Sequence, residues 1–165
     1  MDKIANVIGK VVMGIAFWVI LALTYLFMAN VVLGAEQQPT SPYRDIIMAM
    51  TDEEIEEIQQ VLYWEAKDDT WEGRVATAQV MFNRVLSDEF PDTVHGVLSQ
   101  KKPCTQYSTY HKRSRAKYDE RECDAIEFLC DCNVEDLIIG TDRLYQDCNP
   151  IGKHPIKVGK QWFGL

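Results

Sequence analysis

Residues 51–86 read TDEEIEEIQQVLYWEAKDDTWEGRVATAQVMFNRVL, and two capping patterns divide this stretch into a pair of helices. Thr51 followed by Glu54 is a capping box, in which the hydroxyl accepts from a free backbone N–H and the carboxylate reaches back to the cap's own N–H. Asp69 followed by Glu72 repeats the pattern and opens a second helix, on which Val75, Ala78, Phe82 and Val85 recur at helical spacing. The bend at residues 66–70 is short, so the two helices form a tight antiparallel hairpin. This hairpin makes the chain mainly α.

One residue breaks the pattern of the first helix. On a wheel of ~100° per residue with Ile55 at zero, Ile58, Val61 and Leu62 fall at about 300°, 240° and 340°, and Glu65 falls at about 280°, inside the apolar stripe. A carboxylate on a core-facing stripe must be paired, protonated or opened to a cleft. Glu53, Glu56 and Glu57 lie nearer the opposite side and read as a solvated, charged face. Glu65 is therefore a candidate functional residue, with a structural ion pair as the competing reading. The bend brings Asp69 close to it.

Upstream, residues 11–33 read VVMGIAFWVILALTYLFMANVVL, without a charge. As a helix this run would reach ~34 Å, enough for a hydrocarbon core of ~30 Å. Lys3 and Lys10 flank its amino end and Glu36 is the first charge after it, which keeps the N-terminus cytoplasmic and sends the remainder across. The expected organisation is a membrane anchor or uncleaved signal over 1–35, a linker over 36–43 (Gln37 to Tyr43 read QQPTSPY), and one domain over 44–165. A cleavable signal competes, since Gly34 and Ala35 are small residues at a cleavage-like position.

The chain is 165 residues long with a net charge of −8; beyond residue 35 there remain 15 Lys and Arg against 24 Asp and Glu. Such an excess of acid argues against nucleic acid as a partner, because phosphate binding draws on clustered Lys and Arg. All five cysteines, Cys104, Cys123, Cys130, Cys132 and Cys148, follow the apolar run, where an oxidising compartment would let four of them form two bridges. Their spacing fits no usual zinc pattern, so no metal is expected.

The middle of the chain is aromatic and polar. Gln106, Tyr107, Ser108, Tyr110 and His111 combine stacking faces with donors and acceptors, which suits a sugar-binding wall or an ordinary loop packed by its tyrosines. Residues 94–99 suit a short helical turn and 119–132 a helix. Residues 137–139 suit a short strand or buried turn, which leaves an α+β arrangement open. The tail from 140 is expected to be irregular, interrupted by Pro150, Pro155 and glycines 140, 152, 159 and 164.

Residues 63–97 resemble the SleB-type cell wall hydrolases, a family of spore cortex-lytic and phage enzymes. That family shows E-A-R-G-E, then E-G-x-x-A-V-A-x-V-x-x-N-R, then F-P-x-T with a following G-V. Here these stand as Glu65-Ala66-Lys67-Asp68-Asp69, Glu72-Gly73 through Ala78 and Val80 to Asn83-Arg84, Phe90-Pro91-Asp92-Thr93, and Gly96-Val97. Gln106-Tyr107-Ser108 resembles the family's Q-F-S, and Asp142 to Tyr145 a degraded G-A-x-x-Y. Val158 to Phe163 resembles a terminal I-G-x-H-x-F, with Gln161 where histidine is usual. The glycine and second glutamate of E-A-R-G-E are Asp68 and Asp69.

The resemblance implies a lysozyme-like, α-rich catalytic domain that cleaves peptidoglycan glycan strands as a lytic transglycosylase, without cofactor or metal. It carries the catalytic acid/base onto Glu65. Asp69, Asn83, Gln106, Tyr107, Ser108 and Tyr145 become candidate substrate-binding or supporting residues. Because the C6 hydroxyl of the muramic acid itself attacks C1, one carboxyl can serve as acid and then base. A muramidase-type hydrolase would instead need a second carboxylate, from Asp68, Asp69 or Glu72. A non-catalytic, membrane-anchored protein that binds glycan or a partner is the alternative of another class. The lone catalytic domain suits phage lysis or wall remodelling.

Overall fold

The computed structural model describes residues 13–15, 17–26, 41–101 and 106–165. The chain divides into two units, residues 1–38 and 39–165. In the first unit, residues 13–15 and 17–26 are helical and expose apolar side chains such as Phe17, Trp18 and Leu23. Among the described residues no helix is long and apolar enough to cross a membrane; residues 11, 12, 16 and 27–33 of the expected span lie outside them.

The second unit is a helical domain with a small sheet. Its elements are α1 (Arg44–Ala49), α2 (Asp52–Ala66), α3 (Trp71–Leu86), α4 (Val94–Ser99), a 3-10 helix (Ser108–Arg115), α5 (Glu120–Asp131), a 3-10 turn (Val134–Asp136), β1 (Tyr145–Asp147), β2 (Ile156–Val158) and β3 (Gln161–Gly164). Thr51 caps α2 with a complete capping box. The second helix begins one residue later than expected: the Thr70 hydroxyl accepts from Gly73 N, while the Asp69 carboxylate turns back to accept from Thr70 N.

α3 runs through the centre, buried from Gly73 to Arg84. On one side it meets Ile58, Val61 and Leu62 of α2, Val97 and Leu98 of α4 and Ala125 and Leu129 of α5. Its Ala76 and Val80 pack with Ile139 and Phe163 in a second cluster. The polar residues of α3 supply backbone partners to the non-periodic chain that follows α5. Gln79 exchanges hydrogen bonds with both backbone groups of Ile139. Asn83 Nδ2 donates to Gly140 O and Arg143 O, and Arg84 Nε to Leu144 O at 2.7 Å. Buried carbonyls without such partners would be costly.

That chain then returns as a sheet rather than the expected irregular tail, in the order β1-β3-β2 and antiparallel throughout. Gly159 at φ +56 makes the tight β2–β3 connection. The last residues of the expected linker also differ: Ser41 and Tyr43 are buried in the domain, and Tyr43 donates to Asn83 Oδ1 at 2.6 Å. Residues 36–40 lie outside the described residues.

The cysteine expectation is corrected. Cys123, Cys130, Cys132 and Cys148 are all free thiols. Two bridges among five cysteines would require at least one among these four. Cys123 and Cys130 are two turns apart on α5, ~10.5 Å along the axis, beyond the ~7 Å a disulfide spans. Cys104 lies outside the described residues.

Between α3 and α5 the domain buries an ion pair, Arg74 Nε to Glu122 Oε1 at 3.2 Å, with side-chain exposures of 5% and 0%. Glu122 also reaches Asp119 N to close the capping box of α5. Removing one partner leaves the other charge buried and unpaired, so Glu122→Ala should destabilise the domain by about 3–5 kcal/mol. Urea unfolding would show this as a lowered midpoint at unchanged slope, and a midpoint equal to that of the parent chain would contradict it.

Candidate active site

Glu65 occupies the last turn of α2 and lines a cleft of about 550 Å³. Trp64, Ala66, Lys67, Asp68, Asp69, Gln106, Ser108, Gln146, Asp147, Cys148, Lys160 and Gln161 complete the walls. Three elements therefore build it: the hairpin bend, the start of the 3-10 helix, and the two strands β1 and β3 with the β2–β3 turn.

Thr109 donates its hydroxyl to Glu65 Oε1. Desolvation by burial pushes the Glu65 carboxyl above the ordinary glutamate value, against the opposing effects of the Thr109 hydrogen bond and the Arg84 charge. The placement adds to the bias. A carboxylate at a helix C-terminus faces the negative end of the macrodipole, and α2 carries no basic residue in its last turn. Glu65 is thus a carboxyl held toward its protonated form beside an open cleft.

The backbone under Glu65 is fixed from two directions. Gln161 Nε2 donates to Glu65 O at 2.9 Å. Arg74 Nη2 reaches Ala66 O and Lys67 O, both at 3.4 Å. Gln161, the residue that departs from the resembled pattern, thus anchors the site helix to the sheet and lines the cleft.

Of the expected site residues, Asp69, Gln106 and Ser108 line the cleft with Glu65. Asp69 Oδ1 accepts from both Thr70 N at 2.7 Å and Lys160 N at 2.9 Å, so it ties the hairpin bend to the β2–β3 turn. Asn83 lies in the core, spent on Tyr43, Gly140 and Arg143, because residues 137–144 form no helix or strand that would satisfy their carbonyls. Tyr107 is 1% exposed and packs beneath the Arg84 guanidinium at 5.1 Å. Burial pushes its phenol up to about 12. Tyr145 stacks edge-on against Phe90 at 6.3 Å, and its neighbour Gln146 meets the cleft instead. Asn83, Tyr107 and Tyr145 are therefore not among the residues that line the cleft.

Several cleft residues escaped the sequence reading, Trp64, Gln146, Asp147 and Lys160, and so did Thr109, which bonds the Glu65 carboxyl. Thr109 follows directly on Gln106-Tyr107-Ser108, so its position was marked although its role was not. Asp147 Oδ1 accepts from Asn149 N at 2.9 Å and from the Cys148 thiol at 3.2 Å, contacts that depend on the turn after β1. Among the described residues no group of three or more His, Cys, Asp or Glu could hold a metal.

Residues 68–142 match the family model of cell wall hydrolases. The match begins just after Glu65. A spore cortex-lytic enzyme from Oceanobacillus iheyensis is 34% identical over 72 residues, 44% of this chain and 26% of that protein, so the chain spans about a quarter of the length of this curated relative. Two solved structures share the fold. The catalytic domain of the germination-specific lytic transglycosylase SleB from Bacillus anthracis superposes with a TM-score of 0.54 at 24% identity, covering 70% of this chain and 96% of that one. The catalytic domain of Bacillus cereus SleB gives 0.54 at 22%, covering 70% and 91%. One segment and one fold point the same way: residues 68–142 are similar to the cell wall hydrolases, and the domain has the fold of the SleB catalytic domains.

Proposed function

We propose that this chain is a peptidoglycan lytic transglycosylase in which Glu65 is the general acid and then the general base. The observation that carries the reading is a single carboxyl, raised in pKa by burial and bonded by Thr109, on the wall of an open cleft. Glu65 gives its proton to the glycosidic oxygen as the bond from C1 breaks. The resulting carboxylate takes the proton of the muramic acid C6 hydroxyl as O6 closes onto C1. Proton and electron pairs balance without water, and the intramolecular attack gains from proximity. Trp64 offers an aromatic face in the wall, and Gln106, Ser108 and Gln146 offer polar groups suited to sugar hydroxyls.

The commitment of Asp69 favours one carboxyl over two. Asp69 Oδ1 is held by two backbone N–H groups, and Glu72 is exposed and absent from the cleft wall. Asp68 and Asp147 do line the cleft, which keeps a hydrolase with a second carboxylate as the alternative chemistry. Mass spectrometry of peptidoglycan digested by the full chain decides between them. Products ending in 1,6-anhydromuramic acid, absent with Glu65→Gln, are the expected result. Reducing-end muramic acid would establish the hydrolase, and no products from folded protein would move the binding reading to first place.

The same reading assigns a place. Residues 11–33 anchor the chain in a bilayer, with the domain on the extracytoplasmic side against nearby glycan, in lysis or wall remodelling. The charge-free run and the exposed apolar side chains of its described part support this. The chain should stay with membranes washed in alkaline carbonate; release into the soluble fraction would exclude an anchor.

A carboxyl whose surroundings disfavour its charged form also costs stability. With its folded pKa above the unfolded value, Glu65 leaves stability unaffected below the ordinary glutamate range and lowers it as pH rises through that value toward the raised one. Glu65→Gln should therefore match the parent chain in Tm below about pH 4 and exceed it at neutral pH. A variant no more stable at neutral pH would show that Glu65 is a stabilising ion-pair partner instead.

A further inference from the structure

Glu57 precedes Glu65 by eight residues on α2, about 12 Å along the helix. It lies off the apolar stripe, yet its side chain is only 12% exposed. The 3-10 helix covers it. The Tyr110 hydroxyl donates to Glu57 Oε1 at 2.5 Å, and Arg113 Nε sits 3.2 Å from the same oxygen. The Arg113 guanidinium in turn stacks on the Tyr110 ring at 4.1 Å. From α4, His95 Nδ1 approaches Oε2 at 3.0 Å.

Thr109, whose hydroxyl holds the Glu65 carboxyl, is the residue immediately before Tyr110. A third tie joins the same two elements between these points, from Trp64 Nε1 to Lys112 O at 3.2 Å. Burial, and then the Glu57 carboxylate, push the Tyr110 phenol up to about 12, so it remains a donor across the physiological range. We propose that Glu57 is a positioning residue for the Glu65 site: by gripping Tyr110 and Arg113 it fixes the 3-10 helix in the register that sets the Thr109 hydroxyl on the Glu65 carboxyl. The inference rests on the reading of Glu65 as the acid/base.

The consequence can be separated from plain stability. The groups facing Glu65 are Thr109, Arg84 and Tyr107; those facing Glu57 are Tyr110, Arg113 and His95. Releasing the grip removes from Glu65 the hydrogen bond that opposes the effect of burial, and its pKa rises further. The protonated acid then persists to higher pH, and the alkaline limb of the kcat profile moves upward. The loss of alignment lowers kcat by about 10- to 100-fold, with KM kept within about twofold.

The test compares full-length parent, Glu57→Ala, Tyr110→Phe, Thr109→Ala and the double variant Glu57→Ala/Thr109→Ala. It measures kcat against pH and the carbon-13 titration of the Glu65 carboxyl. Tyr110→Phe keeps the ring and loses only the hydroxyl, which guards against a Glu57→Ala chain that does not fold. Each single variant should move the alkaline limb and the Glu65 titration upward. The double variant should go no further than Thr109→Ala, since Glu57 acts through Thr109. An unmoved titration, or additive shifts in the double variant, would overturn the proposal. Parent protein that yields no glycan products would instead overturn the enzymatic reading, while the carboxyl titration still decides whether Glu57 acts on Glu65.

Discussion

A carboxylate wedged between two glycines sets the geometry of the cleft. Asp69 sits where the α2–α3 hairpin turns, and a Cβ on Gly73 would come within 2.5 Å of its Cγ. A Cβ on Gly159 would overlap its Oδ1. Both neighbours must be glycine for the carboxylate to reach Thr70 N and Lys160 N together. Through this contact the β2–β3 turn is pinned against the helix end that bears Glu65, and β3 follows with Gln161. The opposite wall, by contrast, is held by the 3-10 helix through Thr109 and Trp64.

The environment of Glu65 is a balance of opposed effects. Burial and the helix C-terminus disfavour its charged form, while Thr109 and the buried Arg84 favour it. Arg84 has no solvent exposure; it lies between the rings of Phe90 and Tyr107, at 5.2 and 5.1 Å, and donates to Leu144 O. Such a charge acts through a medium that screens it poorly. A general acid must hold its proton until substrate arrives and release it to a weak base, and it must also be restored. In the role proposed for Glu65, opposed effects on one carboxyl serve both needs better than burial alone.

The hairpin and Glu65 were legible because both rest on local rules. A capping box and an apolar stripe are read within one turn or two of helix, and a carboxylate inside the stripe stands out. Glu57 was misread as solvated for the same reason: the wheel knows which residues share a face, and the partners that cover Glu57 lie 38 to 56 positions further along the chain. The sheet was illegible because its strands are three or four residues long, too short for alternation to show, and lie among glycines and prolines that mark turns. Asn83 illustrates a third limit. An amide on a helix reads as site or scaffold only once the carbonyls it serves, at 140 and 143, are in place.

The departure at Asp68 shows how tertiary contacts can replace a local rule. The resembled pattern has glycine there, a residue suited to a left-handed turn after a helix. Among the described residues other than glycine, His154 is the one with positive φ, so Asp68 bears no such strain. α2 ends instead with Lys67 in helical geometry, its N–H on Tyr63 O. The carbonyls that a glycine cap would have served find other donors: Glu65 O takes Gln161, Ala66 O takes Asp69 N and Arg74, and Lys67 O takes Arg74. The end of the helix is thus capped by side chains of α3 and β3 together with the local Asp69 N–H. The same donors hold the backbone on which the Glu65 carboxyl is mounted.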